Sequence, residues 1–372
     1  MRMHVDRRLL THFEWVMPLF AMAVCALGIV TVYSATNIPN TEGPSPLAIR
    51  QGLWFTGGCL GMFIVLAFDY RRLDRYAYLV YGAVAVALVL VPIVGRVAGG
   101  SRRWITLGPV SIQPSEFMKP ALVIALAHYF ARTAAVRLGL REMLVPALLT
   151  IPPALLVLVQ PDLGSAAMLG FVLISMLVLG GIRLRWFAVL ATPIVLLSPL
   201  VGPMAWHHLK TYQQQRILTF INPELDPRGA GYHIIQSKIA VGSGMLWGRG
   251  FLRGTQNHLN FLPEQHTDFI FSVFCEEFGF VGAAALMVLY LGLLLRGLSV
   301  AARARDRFGV LLVLGVMSIV FWQVVVNVGM VTGLLPVVGI PLPFFSYGGS
   351  SLLGLLIGVG LVMNVSMRRH LF

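Results

Sequence analysis

The stretch Phe261–Gly279, FLPEQHTDFIFSVFCEEFG, holds the densest set of groups able to do acid–base chemistry. Glu264, Gln265, His266 and Thr267 precede Asp268, where an apolar run begins that continues to Leu295. That run exceeds the about 20 residues a bilayer crossing needs. Asp268 is therefore expected at the mouth of a membrane helix, at a membrane–water boundary, and is an acid–base candidate there. Glu276 and Glu277 lie about 12 Å deeper at helical rise, and ionisable groups inside the hydrocarbon are functional candidates by default. Helical spacing puts Asp268, Ser272, Cys275 and Gly279 on one face, a narrow face suited to a cavity wall. A plainer reading is that Thr267 or Asp268 caps the helix. The crowd of polar residues just ahead of Asp268 favours a site.

A second constellation is QPSEFMKP, residues 113–120. Glu116 and Lys119 are three apart and can pair on one helix face. Pro120 has no N–H, so the Glu116 carbonyl loses its helical partner. The pair is either a self-neutralising structural element or, with that free carbonyl, part of a lined cavity. In QPDLGS, residues 160–165, Asp162 reads as the cap of the next helix. Arg96, Arg102, Arg103, Lys210, Arg216, Arg228, Lys238, Arg249 and Arg253 fall in connections that should otherwise be poor in cations. They fit an anionic ligand such as a phosphorylated lipid, or lipid head groups in general; charge alone leaves both open. His128 and His233 lack ligand spacing, and no metal motif is visible.

The elements that must position these groups are membrane helices. The chain has 372 residues, 57% of them hydrophobic and 12% charged, with mean hydropathy +0.81. A soluble domain of this length carries far more charge. Apolar runs near 13–34, 49–68, 76–95, 115–131, 143–160, 164–181, 186–205, 268–295, 308–333 and 347–367 give about ten transmembrane helices. The expected fold is an all-α polytopic membrane protein, a single transmembrane domain over 1–372, with a large extracytoplasmic loop, 206–267, between helices 7 and 8. Met1–Thr11 is short and basic, and no cleavage site follows, so the first run reads as a helix rather than a signal peptide. Cys25, Cys59 and Cys275 all lie in apolar runs and imply no disulfide framework.

Arginines test the topology. Arg2, Arg7 and Arg8 precede the first run, and Arg71, Arg72 and Arg75 follow the second. Arg132, Arg137 and Arg141 follow the fourth, Arg183 and Arg185 the sixth, Arg296, Arg303, Arg305 and Arg307 the eighth, and Arg368 and Arg369 the tenth. Every second connection is basic, which the positive-inside rule assigns to the cytoplasm together with both termini. This absorbs most of the formal charge of +13 and argues against nucleic acid as a partner. On the outer side, Tyr232–Val241 reads as a short amphipathic helix in the interface, with Trp247 at a similar depth. Residues 334–346, LLPVVGIPLPFFS, hold three prolines and are expected to dip irregularly into the bundle.

GSRRWI at 100–105, QPSEFMK at 113–119, QPDLGSA at 160–166, FLPEQHTDFIF at 261–271 and LPVVGIPLPFFSYGGSS at 335–351 together resemble the SEDS family (shape, elongation, division and sporulation) of bacterial proteins. The last stretch and the short N-terminus favour its elongation branch over its division branch. The resemblance implies a peptidoglycan glycosyltransferase of the bacterial inner membrane that polymerises lipid II. It implies Asp268 as the key aspartate, here the general base, and Glu116 and Lys119 as the matching glutamate and lysine. It also implies a class B penicillin-binding protein as partner, alongside other membrane proteins of the elongation complex. Glycosyl transfer needs cations or donors on the leaving pyrophosphate; Arg102, Arg103 and Lys119 are candidates, with Arg216 and Lys238 beyond them. Trp104, Gln113, Ser115, His266 and Thr267 complete the candidate substrate-binding set. No cofactor is called for, although a divalent cation (Mg or Mn) on the pyrophosphate fits the chemistry. Intramembrane charges and interrupted helices would also suit a lipid II flippase, and a non-catalytic scaffold is a third class.

Overall fold

The computed structural model describes residues 14–36, 45–98, 101–108, 110–133, 139–183, 185–189, 230–254 and 264–369, with isolated positions between 192 and 222. Its helices are α1 (Val16–Thr36), α2 (Pro46–Ala67), α3 (Tyr70–Val94), α4 (Pro114–Arg132), α5 (Leu144–Val159), α6 (Leu163–Gly180), α7 (Ala230–Ser243), α8 (Ile270–Arg303), α9 (Arg307–Val331) and α10 (Gly349–Arg368). Among the described residues, eight helical stretches are long and apolar enough to cross a membrane: α1–α3, α5 with its entry turn, α6 and α8–α10. With 19 residues, α4 is a ninth of spanning length, about 28 Å, but its entrance is charged. The expected span at 186–205 lies outside the described residues except for 186–189 and 192, and within 206–267 the described residues are 230–254, 264–267 and isolated positions from 206 to 222. This is a polytopic membrane protein.

Burial sorts the helices. The most apolar window of α10 is 89% buried, against 22% in α2 and 17% in α3. So α10 is a central post, and α2 and α3 present Leu53, Leu60, Ile64, Leu79 and Ile93 outward, as lipid-facing helices do. Small residues allow close approach. A Cβ on Gly360 of α10 would lie 2.8 Å from the Met62 carbonyl oxygen of α2, and one on Gly28 of α1 would strike the Phe345 backbone.

The arginine-rich end is stitched by polar contacts. Asn364 donates to the Val65 and Phe68 carbonyls and accepts from the Tyr70 N–H and from Arg368. Arg307 donates to the Thr133 and Gly180 carbonyls, and Asp74 meets both His128 and Arg132. Here α3 starts earlier than hydropathy suggests. Asp69 caps it by accepting from the Arg71 N–H, so Arg71, Arg72 and Arg75 ride its first turns, and a kink at Tyr76 marks where the apolar run takes over.

Two departures shape the other end. The connection between the third and fourth apolar runs holds an antiparallel meander: β1 (Arg96–Ala98), β2 (Ser101–Leu107) and β3 (Val110–Ile112), with Trp104 opposite Arg96 and Ile105 opposite Ile112. The all-α expectation thus gains a small sheet. Second, α8 runs past Leu295 to Arg303 but is broken at Gly279, whose φ of +64° and ψ of −165° are essentially reserved for glycine. Backbone groups around the break pair with the segment after α7. The N–H groups of Arg249 and Gly250 donate to the Glu276 and Glu277 carbonyls, and those of Phe280 and Val281 donate to the Met245 and Leu246 carbonyls. Gly244 and Gly248 permit this approach, since a Cβ on either would lie within 2.1 Å of a backbone oxygen of α8.

It follows that Ser272, Cys275 and Gly279 face α7 and its continuation, not a cavity, which corrects the expected small-residue wall. Ser237 of α7 meets Ser272 Oγ at 2.8 Å and donates to the Val331 carbonyl. With Ile234, Ser237 and Ala240 buried, α7 is packed into the bundle on one side, while Trp247 remains exposed. Residues 334–346 do dip inward: Ile340, Leu342, Phe344 and Phe345 are buried. Asn327 of α9 holds them, donating to the Ile340 carbonyl (2.8 Å) and the Asp268 carbonyl (3.0 Å).

Candidate active site

A cavity of about 500 Å³ opens where the starts of α4, α6 and α10 and the turn leading into α8 meet. Gln113, Glu116 and Lys119 line it from α4, Asp162 to Met168 from α6, Thr267 and Asp268 from ahead of α8, and Gly348 and Ser351 from α10. Ser101, Arg103 and Trp104 of β2 cover one side, and Val338–Pro341 another. Helix N-termini carry unpaired N–H groups and the positive end of the macrodipole. Converging starts favour an anion, as do Lys119 and Arg103, against the carboxylates of Glu116, Asp162, Glu264 and Asp268 that line the same cavity.

Asp268 sits half-buried in the turn that precedes α8. The N-cap of α8 is Phe269, with no side-chain capping bond. Phe269 rather than Asp268 thus holds the N-cap position, and Asp268 lines the cavity with its carboxylate. Its backbone is anchored through Asn327. Gly339, at φ +75°, lies beside it, and a Cβ there would sit 3.3 Å from Asp268 Oδ2. Only glycine offers both that conformation and that clearance without strain.

Glu116 and Lys119 form the expected pair. Lys119 Nζ lies 2.8 Å from both Glu116 carboxylate oxygens, and both side chains are buried. Glu116 lies in the first turn of α4, where the helix dipole favours an anion. Arg103 donates to the Gln160 carbonyl (3.0 Å) and the Pro161 carbonyl, tying β2 to the end of α5. Asp162 is a cap, accepting from the Ser165 N–H (3.1 Å), but it also accepts from Gln113 Nε2 (3.0 Å) and borders the cavity.

Of the predicted residues, the cavity brings together Asp268, Glu116, Lys119, Arg103, Trp104, Gln113 and Thr267. Four do not border it. Arg102 alternates with Arg103 along β2 and turns outward to the Pro92 carbonyl. Ser115 is buried on another side of α4. His266 packs edge-on against Tyr347; burial pushes its imidazole below the ordinary range, with the Glu264 carboxylate pulling weakly the other way. Lys238 is exposed on α7 and lies over Gly333. Arg216 lies outside the described residues. Sequence reasoning missed Glu264, which Thr267 Oγ1 contacts at 3.1 Å, and the cavity roles of Asp162, Ser351 and Tyr347. QPDLGS and SYGGSS held the signal, because a helix-start motif at the outer boundary serves as cap and lining at once. Among the described residues, no three His, Cys, Asp or Glu side chains cluster to cage a metal ion.

Among the described residues, a membrane bundle with a polar cavity at converging helix starts is the class of protein that fold and site define. Residues 14–371 match the family described as cell cycle protein, FtsW/RodA/SpoVE, and the chain belongs to that family. It is 40% identical to the peptidoglycan glycosyltransferase MrdB of Escherichia coli K12 over 97% of this chain and 95% of the relative. It is 38% identical to a probable peptidoglycan glycosyltransferase FtsW of Geobacter metallireducens over 96% of this chain and 95% of that one. A solved structure described as structural coordination of polymerization and crosslinking by a peptidoglycan synthase complex superposes with a TM-score of 0.81. It is 36% identical, covering 97% of this chain and 99% of that one.

Proposed function

We propose that this protein is a peptidoglycan glycosyltransferase that polymerises lipid II, with Asp268 as the general base. The observation that carries the reading is the convergence of helix N-termini on a cavity that also holds Asp268, Lys119 and Arg103. Extending a glycan from a lipid-linked diphosphate needs those parts. Asp268 removes the proton from the acceptor hydroxyl. Helix starts, with Lys119 and Arg103, take up charge on the departing pyrophosphate. Lipid tails confine both reactants to the boundary where the cavity opens, so alignment costs little further entropy. A single base suffices for one direct displacement with inversion at the donor carbon.

The arginine-rich end faces the cytoplasm with both termini, by the positive-inside rule, and the cavity faces outward in the inner membrane. The elongation branch is favoured by the LPVVGIPLPFFSYGGSS stretch, since MrdB and FtsW relatives are about equally similar. A class B penicillin-binding protein is the proposed crosslinking partner, supported by the solved synthase complex. A divalent cation, Mg or Mn, would ride on the substrate's pyrophosphate. Such an ion needs only one or two protein carboxylates, and Glu264 borders the cavity apart from the proposed base.

The test is polymerisation of lipid II by purified protein in detergent, with and without the partner. Polymer without any membrane to cross is the expected result; none under either condition would favour a flippase or scaffold. Chelation is expected to lower the rate, with Mg or Mn restoring it.

A further inference from the structure

Directly inside the main cavity lies a second, smaller space of about 10 Å³. Glu116, Lys119 and Ser351 border both. Its far wall is Gln323 of α9, a side chain with no exposed surface, set among Val316, Ile319 and Leu355. Neither amide atom of Gln323 has a hydrogen-bond partner among the described residues. Buried amides are almost always satisfied, and leaving both ends unmade is costly. A further acceptor stands near by. Pro120 has no N–H for the Glu116 carbonyl, and that oxygen lies 3.7 Å from where a Cβ on Gly354, another lining residue, would be.

The walls are mostly apolar, but Gln323, Glu116, Lys119 and Ser351 offer a water in a space of this volume the two to four polar partners it requires. We propose that Gln323 holds a single water against the Glu116–Lys119 pair and so fixes Lys119 at the edge of the main cavity. The water gives the Gln323 amide its missing partner and ties the pair to α9. Gln323 is a positioning residue: it touches no substrate and acts through Lys119. The inference rests on the proposed glycosyl transfer for its consequence, but not for the water itself.

Two substitutions separate this role from packing, because the two roles predict opposite orders. Gln323→Met keeps the volume and removes the amide. Gln323→Asn keeps the amide and opens one methylene of extra room, which water can fill. If Gln323 positions Lys119, the Met variant loses about 10-fold or more in kcat, with KM for lipid II little changed, since small misplacements of catalytic groups are expensive. The Asn variant then keeps most of the activity. A neutral Met variant, equal losses in both, or loss confined to Asn would overturn the proposal. A density map of the wild-type protein in nanodiscs, at a resolution that resolves ordered water, decides it independently of how the variants fold. A water within hydrogen-bond reach of Gln323 and of Lys119 or Glu116 is expected, and its absence would also overturn the proposal. Wild-type protein that fails to polymerise lipid II would defeat the functional reading, while the presence or absence of the water in the map would still stand.

Discussion

At the scale of single residues, Asp268 is the group whose chemistry is least replaceable. Asp268→Asn keeps size and hydrogen-bonding capacity but removes the base. It is expected to insert and fold normally while polymerisation falls by about 10²-fold or more, the scale of general-base catalysis. Near-normal polymerisation at matched protein levels would remove Asp268 from the mechanism. The Glu116–Lys119 pair makes a second test. Removing one partner of a buried pair strands the other charge, whereas removing both can be nearly neutral for stability. If the pair were structural, Glu116→Gln with Lys119→Met should recover activity that either single change loses. Because Lys119 also borders the cavity, the double variant is expected to be as inactive as the singles. Both groups were legible in the sequence, since a charge at the start of an apolar run has few bland explanations. The members that lie off the cavity are separated from the rest by geometry that composition does not carry. Arg102 and Arg103 are chemically the same, and only strand alternation decides which one faces inward.

At the scale of elements, hydropathy located the spans well because lipid demands long apolar runs. It could not see the break in α8, because a window average is blind to one backbone angle. The signal lay in three separated glycines, Gly244, Gly248 and Gly279, whose common purpose appears only when the two segments touch. Gly279→Ala should be severe: a non-glycine residue in that conformation costs about 1–3 kcal/mol. Its Cβ would also lie 2.3 Å from the Gly248 nitrogen. A clear fall in thermal unfolding temperature in nanodiscs is expected, and an unchanged transition would mean the break tolerates a side chain. The meander's cue was slight, Trp104-Ile105-Thr106 ahead of the breaker Gly108. Strands this short give little periodicity to detect.

For the whole molecule, the distribution of arginines makes the arginine-rich end the proposed cytoplasmic end. A cysteine replacing exposed Thr106, near the end of β2, should react with an impermeant thiol reagent in intact spheroplasts lacking Cys25, Cys59 and Cys275. One replacing exposed Arg305, between α8 and α9, should react only after permeabilisation. The reverse pattern would invert the bundle.

The gathering of helix starts around the cavity has a pharmacological consequence. Main-chain N–H groups do not titrate, and no codon change other than one to proline deletes them. A diphosphate-mimicking inhibitor seated on those donors would rest on contacts that most side-chain substitutions leave in place. Resistance would have to arise by shifting a helix, inserting proline or bulk at its first turn, or narrowing the entrance beside Arg103 and Trp104. Each of those changes also obstructs the natural diphosphate, so escape and loss of cell-wall synthesis would be mechanically linked.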